Sequence, residues 1–246
     1  MNPDSLCDLW SNYRATEIDR TIHPADDMFK KSVRGWTDYS DVVGFSATRV
    51  MLSVLGNVRA ETIGSVLDFG CGHGRVARHL RAMLPEADLY FSDIDETGSN
   101  FCASLFHGEV VEAKEDFSEL QLPTVDLIWV GSVFTHLDHA RMIMLWDKLF
   151  ASLNRGGALI ATFRGRTMYG EMQKKADVAS WTMLFDQYLS WGIGYQEYPH
   201  IPEWGLSLTT IAACTDLARR HPEAWLVGYT EAGWSNVHDV ASWTKL

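Results

Sequence analysis

The stretch Ser65 to Arg75, "SVLDFGCGHGR", decides how the chain is read. Val66, Leu67 and Phe69 make a short apolar run of strand type, and glycine then recurs at 70, 72 and 74. Beyond it Val76, Leu80, Met83 and Leu84 fall on one face of a predicted helix that Pro85 stops. A strand, a glycine-rich turn and a helix in that order bring the main chain close to a nucleotide-like ligand. Glycine makes this possible because it carries no Cβ and tolerates left-handed backbone angles.

Outward from this stretch the same alternation continues. Strands are predicted at residues 65–69, 88–92, 109–112, 125–131 and 157–163, with helical patterns between them. A helix is expected from His139 to Leu153, with Asp138 as its cap and Gly156-Gly157 as its stop. This is the pattern of βα units around a parallel sheet. Residues 223–230 and 237–244, joined around Ala232-Gly233, read as an antiparallel hairpin at the C-terminal end. The first 60 residues read as helical, most regularly in "YSDVVGFSATRVMLSVLG". Two further helices are expected in "EMQKKADVASWTMLFDQYLSWG" and "TTIAACTDLARRHPE". They lie in an excess of chain, residues 165–222, that a simple crossover does not need. The whole of 1–246 is read as one domain, with 1–60 as a helical extension or lid and 165–222 as a substrate-facing insertion.

Composition narrows the function. A length of 246 residues and a net charge of −11 fit a globular protein and disfavour nucleic-acid partners, which call for a basic patch. No apolar run reaches the roughly 18 residues of a membrane span, and no secretory signal is recognised, so a cytoplasmic setting is expected. Cys7, Cys71, Cys102 and Cys214 form no CxxC pair; reduced, mostly buried thiols are expected, with no metal site.

The glycines must next be matched to a ligand. A dinucleotide fingerprint requires glycine at 75, where Arg75 stands, and a P-loop requires a Gly-Lys-Ser/Thr ending that is absent. What stands is D-x-G-x-G-x-G, from Asp68 to Gly74. It resembles motif I of the class I, Rossmann-like S-adenosylmethionine-dependent methyltransferases. "DLYFSDID" places Asp93 at the end of the second strand, where doubly wound folds keep a ribose acceptor. "EDF", "VDLIWVGSVFTHLD" and "LNRGGALIATF" follow in the order of that family's later motifs. The resemblance implies an α/β, doubly wound, mostly parallel seven-stranded sheet of order 3-2-1-4-5-7-6 with the last strand antiparallel. N-terminal helices and a helical insertion before the final hairpin complete that fold class.

It also implies S-adenosyl-L-methionine as cofactor and S-adenosyl-L-homocysteine as product. Gly70, Gly72 and Gly74 would admit its methionine part, and Asp68 would face its ammonium. Asp93 would bridge the ribose, with Asp95 as an alternate and Ile94 beside it. Asp116 and Phe117 would meet the adenine, and Gly131 and Ser132 would flank the reacting end. Methyl transfer is an in-line displacement, so alignment and exclusion of water dominate, and an acceptor hydroxyl needs a base. His136, just past the fourth strand, is the candidate base, against the alternative of a histidine that only holds a loop. His79 and His139 are expected at exposed helix positions.

Phe134, Arg164, Tyr169, Trp204, Trp234 and His238 are the candidates for the acceptor side, Arg164 with Arg166 as a pair suited to a carboxylate or phosphate. Trp36, Tyr39, Tyr195 and Trp204 are lid candidates. "GSVF" stands where exocyclic-nitrogen methyltransferases carry Asn/Asp-Pro-Pro-aromatic, and CxxxCxxC is absent. The expectation is metal-free methylation of a small molecule, most simply at oxygen, with a sugar or other secondary metabolite as possible acceptors. Two alternatives stay open: a non-catalytic cofactor-binding partner or regulatory module, and a nicotinamide-dependent oxidoreductase. Oligomeric state is not readable.

Overall fold

The run of apolar residues ahead of the glycines forms β1 (Ser65–Phe69), the third strand of a seven-stranded sheet. The computed structural model describes every residue except Ala176 and His200, and every side chain except theirs and those of Pro202 and Glu203. Around β1 lie β2 (Asp88–Ser92), β3 (Glu109–Val110), β4 (Val125–Val130) and β5 (Leu153–Phe163). These five are mutually parallel where they pair. A two-stranded sheet, β6 (Ile193–Tyr198) and β7 (Ile201–Thr209), comes next along the chain, followed by β8 (Ala224–Trp234) and β9 (His238–Lys245). The main sheet runs β3-β2-β1-β4-β5-β9-β8, with β9 antiparallel to both neighbours. This is the expected order, the last two labels having moved up because β6 and β7 intervene.

The helices are α1 (Pro3–Ala15), α2 (Asp27–Lys30), α3 (Phe45–Leu55), α4 (Ala77–Met83), α5 (Glu96–Phe106), α6 (His139–Ala151), α7 (Arg166–Met172), α8 (Thr182–Trp191) and α9 (Ile211–Ala218). Their starts follow capping chemistry: Asn2, Asp95 and Asp138 each accept a backbone N–H of the first turn, satisfying donors the helix leaves unpaired. A wide-turned segment, Thr37–Gly44, leads into α3.

Alternation along the strands sends side chains to two cores. Val66, Trp129 and Ile160 face the layer of α1, α3, α4 and α5, while Leu67, Ile128, Leu159 and Trp243 face α6 and α9. Trp146 of α6 stacks on Phe150 and meets Trp243 edge-on at 5.7 Å, which accounts for part of the chain's many aromatics.

Three local expectations are corrected. Gly156-Gly157 does not end α6, which stops at Ala151; the pair sits in a bulge of β5, where pairing jumps from Val125–Leu153 to Leu127–Ala158. His79 is buried, not exposed: its Nδ1 lies 2.8 Å from the Tyr13 hydroxyl and its Nε2 3.0 Å from Ser40 Oγ. The N-terminal helices cover a face of α4 that looks solvent-facing from its own sequence. The β6–β7 hairpin lies where no strand is expected, since its Gly, Glu and Pro residues mask the alternation. Its inner side packs on α8 in a small separate core of Leu184, Phe185, Tyr188 and Leu208.

The third glycine of the opening stretch serves packing. Gly74 has φ +82°, and a Cβ there would lie 2.6 Å from the buried Phe106 ring. Gly74→Ala is therefore expected to destabilise the fold by about 1–3 kcal/mol, from backbone strain plus overpacking. Urea unfolding measures it; a midpoint equal to wild type contradicts the packing role.

Candidate functional site

A cavity of about 350 Å³ opens beyond the carboxyl ends of β1, β2 and β4, where strand order reverses. Its floor is the glycine turn. Gly72 has φ +51°, and a Cβ there would meet nothing within 4 Å, so the main chain is bare towards the space it lines. The N–H groups of Gly70 and Cys71 both donate to the Ser92 carbonyl, which ties the turn to the end of β2. Gly72 N–H donates to Asp93 Oδ2 at 2.7 Å, and Asp95 N–H to Asp93 Oδ1 at 2.9 Å. Asp93 is thus oriented by two backbone donors on the cavity wall, with lone pairs still available.

Asp68, in β1 just ahead of the turn, is 2% exposed, and its Oδ2 has no hydrogen-bond partner among the described residues. Burial, and then the nearby Asp93 carboxylate, push its carboxyl up to about 8; Arg75 opposes them. An acid left so poorly compensated is costly unless a cationic group joins it.

The N-terminal segment closes one side. Arg78 of α4, 2% exposed, donates to the carbonyls of Gly74, Asp19 and Thr21, strapping residues 19–21 to the glycine turn. Tyr39 donates to Asp26 at 2.5 Å and lies 3.2 Å from the His73 carbonyl. Asp26, Met28 and Tyr39 consequently line the cavity.

The opposite side comes from the exit of β4. Gly131, Ser132 and His136 all line the cavity. Ser132 turns the chain with φ +65°, its N–H donating to Thr162 Oγ1 at 2.7 Å. The short turn Phe134–His136 then packs under the β6–β7 hairpin. His136 Nδ1 is 2.9 Å from the Gly205 carbonyl and 3.0 Å from the Tyr198 hydroxyl. A carbonyl only accepts, so Nδ1 carries the proton and Nε2 keeps its lone pair. Burial, then the Arg164 guanidinium, hold the imidazole pKa below its ordinary 6.5, so the ring is neutral at pH 7.

The cavity therefore brings together Gly70, Gly72, Asp93, Ile94, Phe117, Gly131, Ser132, His136 and Trp204 of the expected residues, while Asp68 is buried in β1 and is not part of its lining. Others lie elsewhere. Asp116 is exposed and caps the turn Phe117–Glu119, accepting Ser118 N–H at 2.8 Å; Glu115 and Phe117 face the cavity in its place. Phe134 is core, 5.2 Å from Phe163. Arg164 sits behind His136 and donates to the Thr135 carbonyl, whereas its expected companion Arg166 is exposed and paired with Glu231. Tyr169 packs on Phe185 in the insertion's own core. Trp234 is buried, donating to the Val43 carbonyl, with His238 against its ring at 5.2 Å. Of the lid candidates, Tyr39 and Trp204 line the cavity, while Trp36 lies under the guanidinium groups of Arg20 and Arg78. Tyr195 lines a neighbouring surface hollow. His73, expected within the glycine turn beside solvent or the cofactor, lines the cavity; Asp26, Met28 and Arg75 were not anticipated as lining residues, and of these only Arg75 carried a signal, its position next to Gly74.

Among the described residues, no group of three His, Cys, Asp or Glu is arranged for a metal ion, and no helix is long and apolar enough to cross a membrane. Cys7 is exposed and the other three thiols are buried and free.

Residues 67–159 match the family model described as a methyltransferase domain. Among curated proteins, carboxy-S-adenosyl-L-methionine synthase of Sodalis glossinidius (strain morsitans) is 24% identical over 151 residues, 58% of this chain. The match spans 57% of that relative's length. An S-adenosylmethionine-dependent methyltransferase from Clostridium acetobutylicum ATCC 824 superposes with a TM-score of 0.57 at 11% identity, covering 89% of this chain and 96% of that one. The Burkholderia thailandensis 1,6-didemethyltoxoflavin-N1-methyltransferase, solved with 1,6-didemethyltoxoflavin and S-adenosylhomocysteine, superposes with a TM-score of 0.56 at 14% identity, over 98% and 86% of the two chains. These likenesses establish a shared fold.

Proposed function

We propose that this chain, which has the class I, Rossmann-like fold of the S-adenosylmethionine-dependent methyltransferases and their domain signature over residues 67–159, methylates a hydroxyl oxygen of a small molecule. The observation that carries the reading is His136, a neutral imidazole fixed through Nδ1 on the wall of the cavity whose floor is the glycine turn.

The residues present fit the cofactor. Gly72 leaves its main chain open, and Asp68 offers a buried, unpartnered oxygen suited to an ammonium group. Asp93 would accept from the ribose hydroxyls, and Phe117 and Ile94 would flank the base. When bound, the cofactor supplies an electrophilic methyl group on a sulfonium. The chain's own task is to align the acceptor oxygen, exclude water, and take a proton. His136 Nε2 accepts the hydroxyl proton as the oxygen becomes methylated, and the positive ring is stabilised by the Gly205 carbonyl at Nδ1. An amine with a free lone pair would not need this base, which favours an acceptor that must lose a proton. The Burkholderia thailandensis protein is named for action at nitrogen, so an acidic ring N–H is the nearest competitor to a hydroxyl.

The hairpin carrying Tyr198 and Trp204, and the strap carrying Met28 and Tyr39, are assigned to enclosing the acceptor. Free thiols throughout suit a cytoplasmic setting. The test is incubation with S-adenosylmethionine carrying a labelled methyl group and a panel of sugars, phenols and other hydroxylated metabolites. A methyl ether product is expected. Cofactor binding without transfer to any panel member favours the non-catalytic binding module instead.

Asp68 makes a separate prediction. With its carboxyl at about 8 in the ligand-free chain, it is mostly protonated at pH 7, and an ammonium beside it favours the carboxylate. Binding of S-adenosylhomocysteine at pH 7 is expected to release close to one proton from Asp68. Calorimetry in buffers of different ionisation enthalpy reads this as a slope, which Asp68→Asn should abolish; no slope in the wild type rejects the assignment. The sign for stability is the reverse of the usual carboxylate. The folded chain binds this proton more tightly than the unfolded one, so ligand-free stability falls as pH rises from ~4 towards 8.

A further inference from the structure

Basic side chains gather at the carboxyl edge of the sheet, against the composition of a chain in which 32 acidic residues outnumber 21 Lys and Arg. The strand register explains part of this. Phe163 of β5 pairs with Asp239 of β9, so the next residues, Arg164 and His238, follow as neighbours at the same edge. On its other side His238 pairs with Trp234 of β8, and the two rings lie 5.2 Å apart. The Arg75 Cζ is 5.5 Å from the centroid of the same indole. One tryptophan thus joins the final hairpin to the residue that follows the third glycine. Arg75 is half-buried and lines the cavity.

Among the described residues, no ion pair neutralises these guanidinium groups. Arg164 donates to the Thr135 carbonyl and the Tyr198 hydroxyl, and Arg75 has the face of Trp234. The acids whose fields reach Arg75 are Asp26 and Asp68. Asp26 already accepts from the Tyr39 hydroxyl at one oxygen and from the Phe29 N–H at the other. Asp68, with its carboxyl at about 8, is mostly protonated at pH 7. His238 feels the result. After burial, the groups that push its imidazole down to about 4 are Arg164, Arg75 and His136, and no acid opposes them. Its Nδ1 is buried without a hydrogen-bond partner. Unneutralised positive charge on a partly desolvated wall attracts an anion more strongly than the same charge in water. An uncharged sugar or phenol makes no use of that field. A carboxylate or phosphate does, and the guanidinium fork matches the geometry of either.

Resting on the reading of the cavity as the site of methyl transfer, we propose that the acceptor carries an anionic oxygen group, a carboxylate or a phosphate, besides the oxygen to be methylated, and that Arg75 receives it. Trp234 is the platform under the guanidinium, and Arg164 adds to the field from the end of β5. Anion recognition, expected from Arg164 with Arg166, thereby passes to Arg75, because Arg166 is drawn away to Glu231. Arg75 and His136 both line the cavity. An acceptor that spans them presents its anion to one and its hydroxyl to the other.

Matched probes test this: hydroxybenzoate against hydroxybenzamide, and glucose 6-phosphate against glucose. Calorimetry measures each on the chain saturated with S-adenosylhomocysteine, as wild type, Arg75→Met and Arg75→Lys. In the wild type, at least one anionic probe is expected to bind about 10-fold or more tighter than its neutral twin, the scale of a charge-assisted hydrogen bond. Which pair shows the preference tells a carboxylate from a phosphate. The ratio within a pair is the readout, because damage to the fold weakens both twins alike. Arg75→Met should bring the ratio close to one. Arg75→Lys keeps a point charge without the fork, so an intermediate ratio is expected. A wild type that prefers neither anion overturns the proposal, and so does a preference that survives in Arg75→Met. A chain that fails to bind S-adenosylhomocysteine rejects the reading of the cavity itself, a result seen before any acceptor probe is added.

Discussion

Asp93→Ala is expected to weaken binding of S-adenosylhomocysteine about 100-fold while leaving the sheet intact. Two losses combine in this variant. The ribose hydroxyls lose an ionised acceptor, and hydrogen bonds to charged groups contribute about 1.5–3 kcal/mol each. The Gly72 N–H also loses its acceptor at 2.7 Å, so the turn is no longer tied to the end of β2 through this side chain. The turn keeps its bonds from Gly70 and Cys71 to the Ser92 carbonyl, and the fold is therefore expected to survive. Asp93→Asn separates the contributions, because it retains one oxygen for Gly72 while removing the charge; it should fall between wild type and alanine. Calorimetry measures all three, and an alanine variant within threefold of wild type would remove Asp93 from the ribose role.

How far this site could be read from the chain depends on the range of each interaction. Asp93 was legible because its position is fixed by local rules: a strand that begins at Asp88 ends at Ser92, and the next side chain stands at the carboxyl edge. Asp116 shows the limit of such spacing. Its place after β3 suggested an adenine contact, but a short turn starts there and the carboxylate caps it, which rotates Glu115 and Phe117 towards the cavity. A one-residue difference decides which side chain faces a ligand, and capping chemistry decides that difference.

The two enclosing elements were less legible for another reason. The strap of residues 19–39 is held by contacts between distant parts of the chain, such as Arg78 to Asp19 and Thr21 and Tyr39 to Asp26 and His73. No local pattern announces a bond to a residue 57 or 59 positions away. The β6–β7 hairpin likewise owes its place to α8 on one side and the turn at His136 on the other. The order of the main sheet, by contrast, follows from βα alternation and a terminal hairpin, both of which are short-range signals. Trp234 lies between these cases. Its position at the hairpin turn was clear, but its bond to Val43 depends on the N-terminal segment and its contact with Arg75 on the glycine turn, both distant in the chain.

The second large effect is expected at His136. His136→Ala should lower turnover by about 100-fold or more while the affinity for S-adenosylhomocysteine stays near that of the wild type. The expectation rests on the division of labour proposed above, in which the glycine turn, Asp68 and Asp93 are assigned to the cofactor, whereas His136 stands on the wall made by the exit of β4. Its tautomer is set from outside the cavity, since the Gly205 carbonyl fixes the proton on Nδ1. Tyr198→Phe removes the second neighbour of Nδ1 but leaves that carbonyl, so its effect on turnover should be much smaller than that of His136→Ala. The pH profile provides an independent check. Burial and the Arg164 guanidinium depress the imidazole pKa, and the base works only when neutral, so kcat/KM should fall on the acid side with a midpoint below 6.5. Arg164→Met removes a repelling cation and should move that midpoint upward. A histidine that merely anchors the hairpin predicts neither behaviour: its loss would weaken packing and ligand affinity together, and the acid limb would not respond to Arg164. A His136→Ala variant that turns over at near wild-type rate, or an acid limb unmoved in Arg164→Met, would reassign the proton to another acceptor.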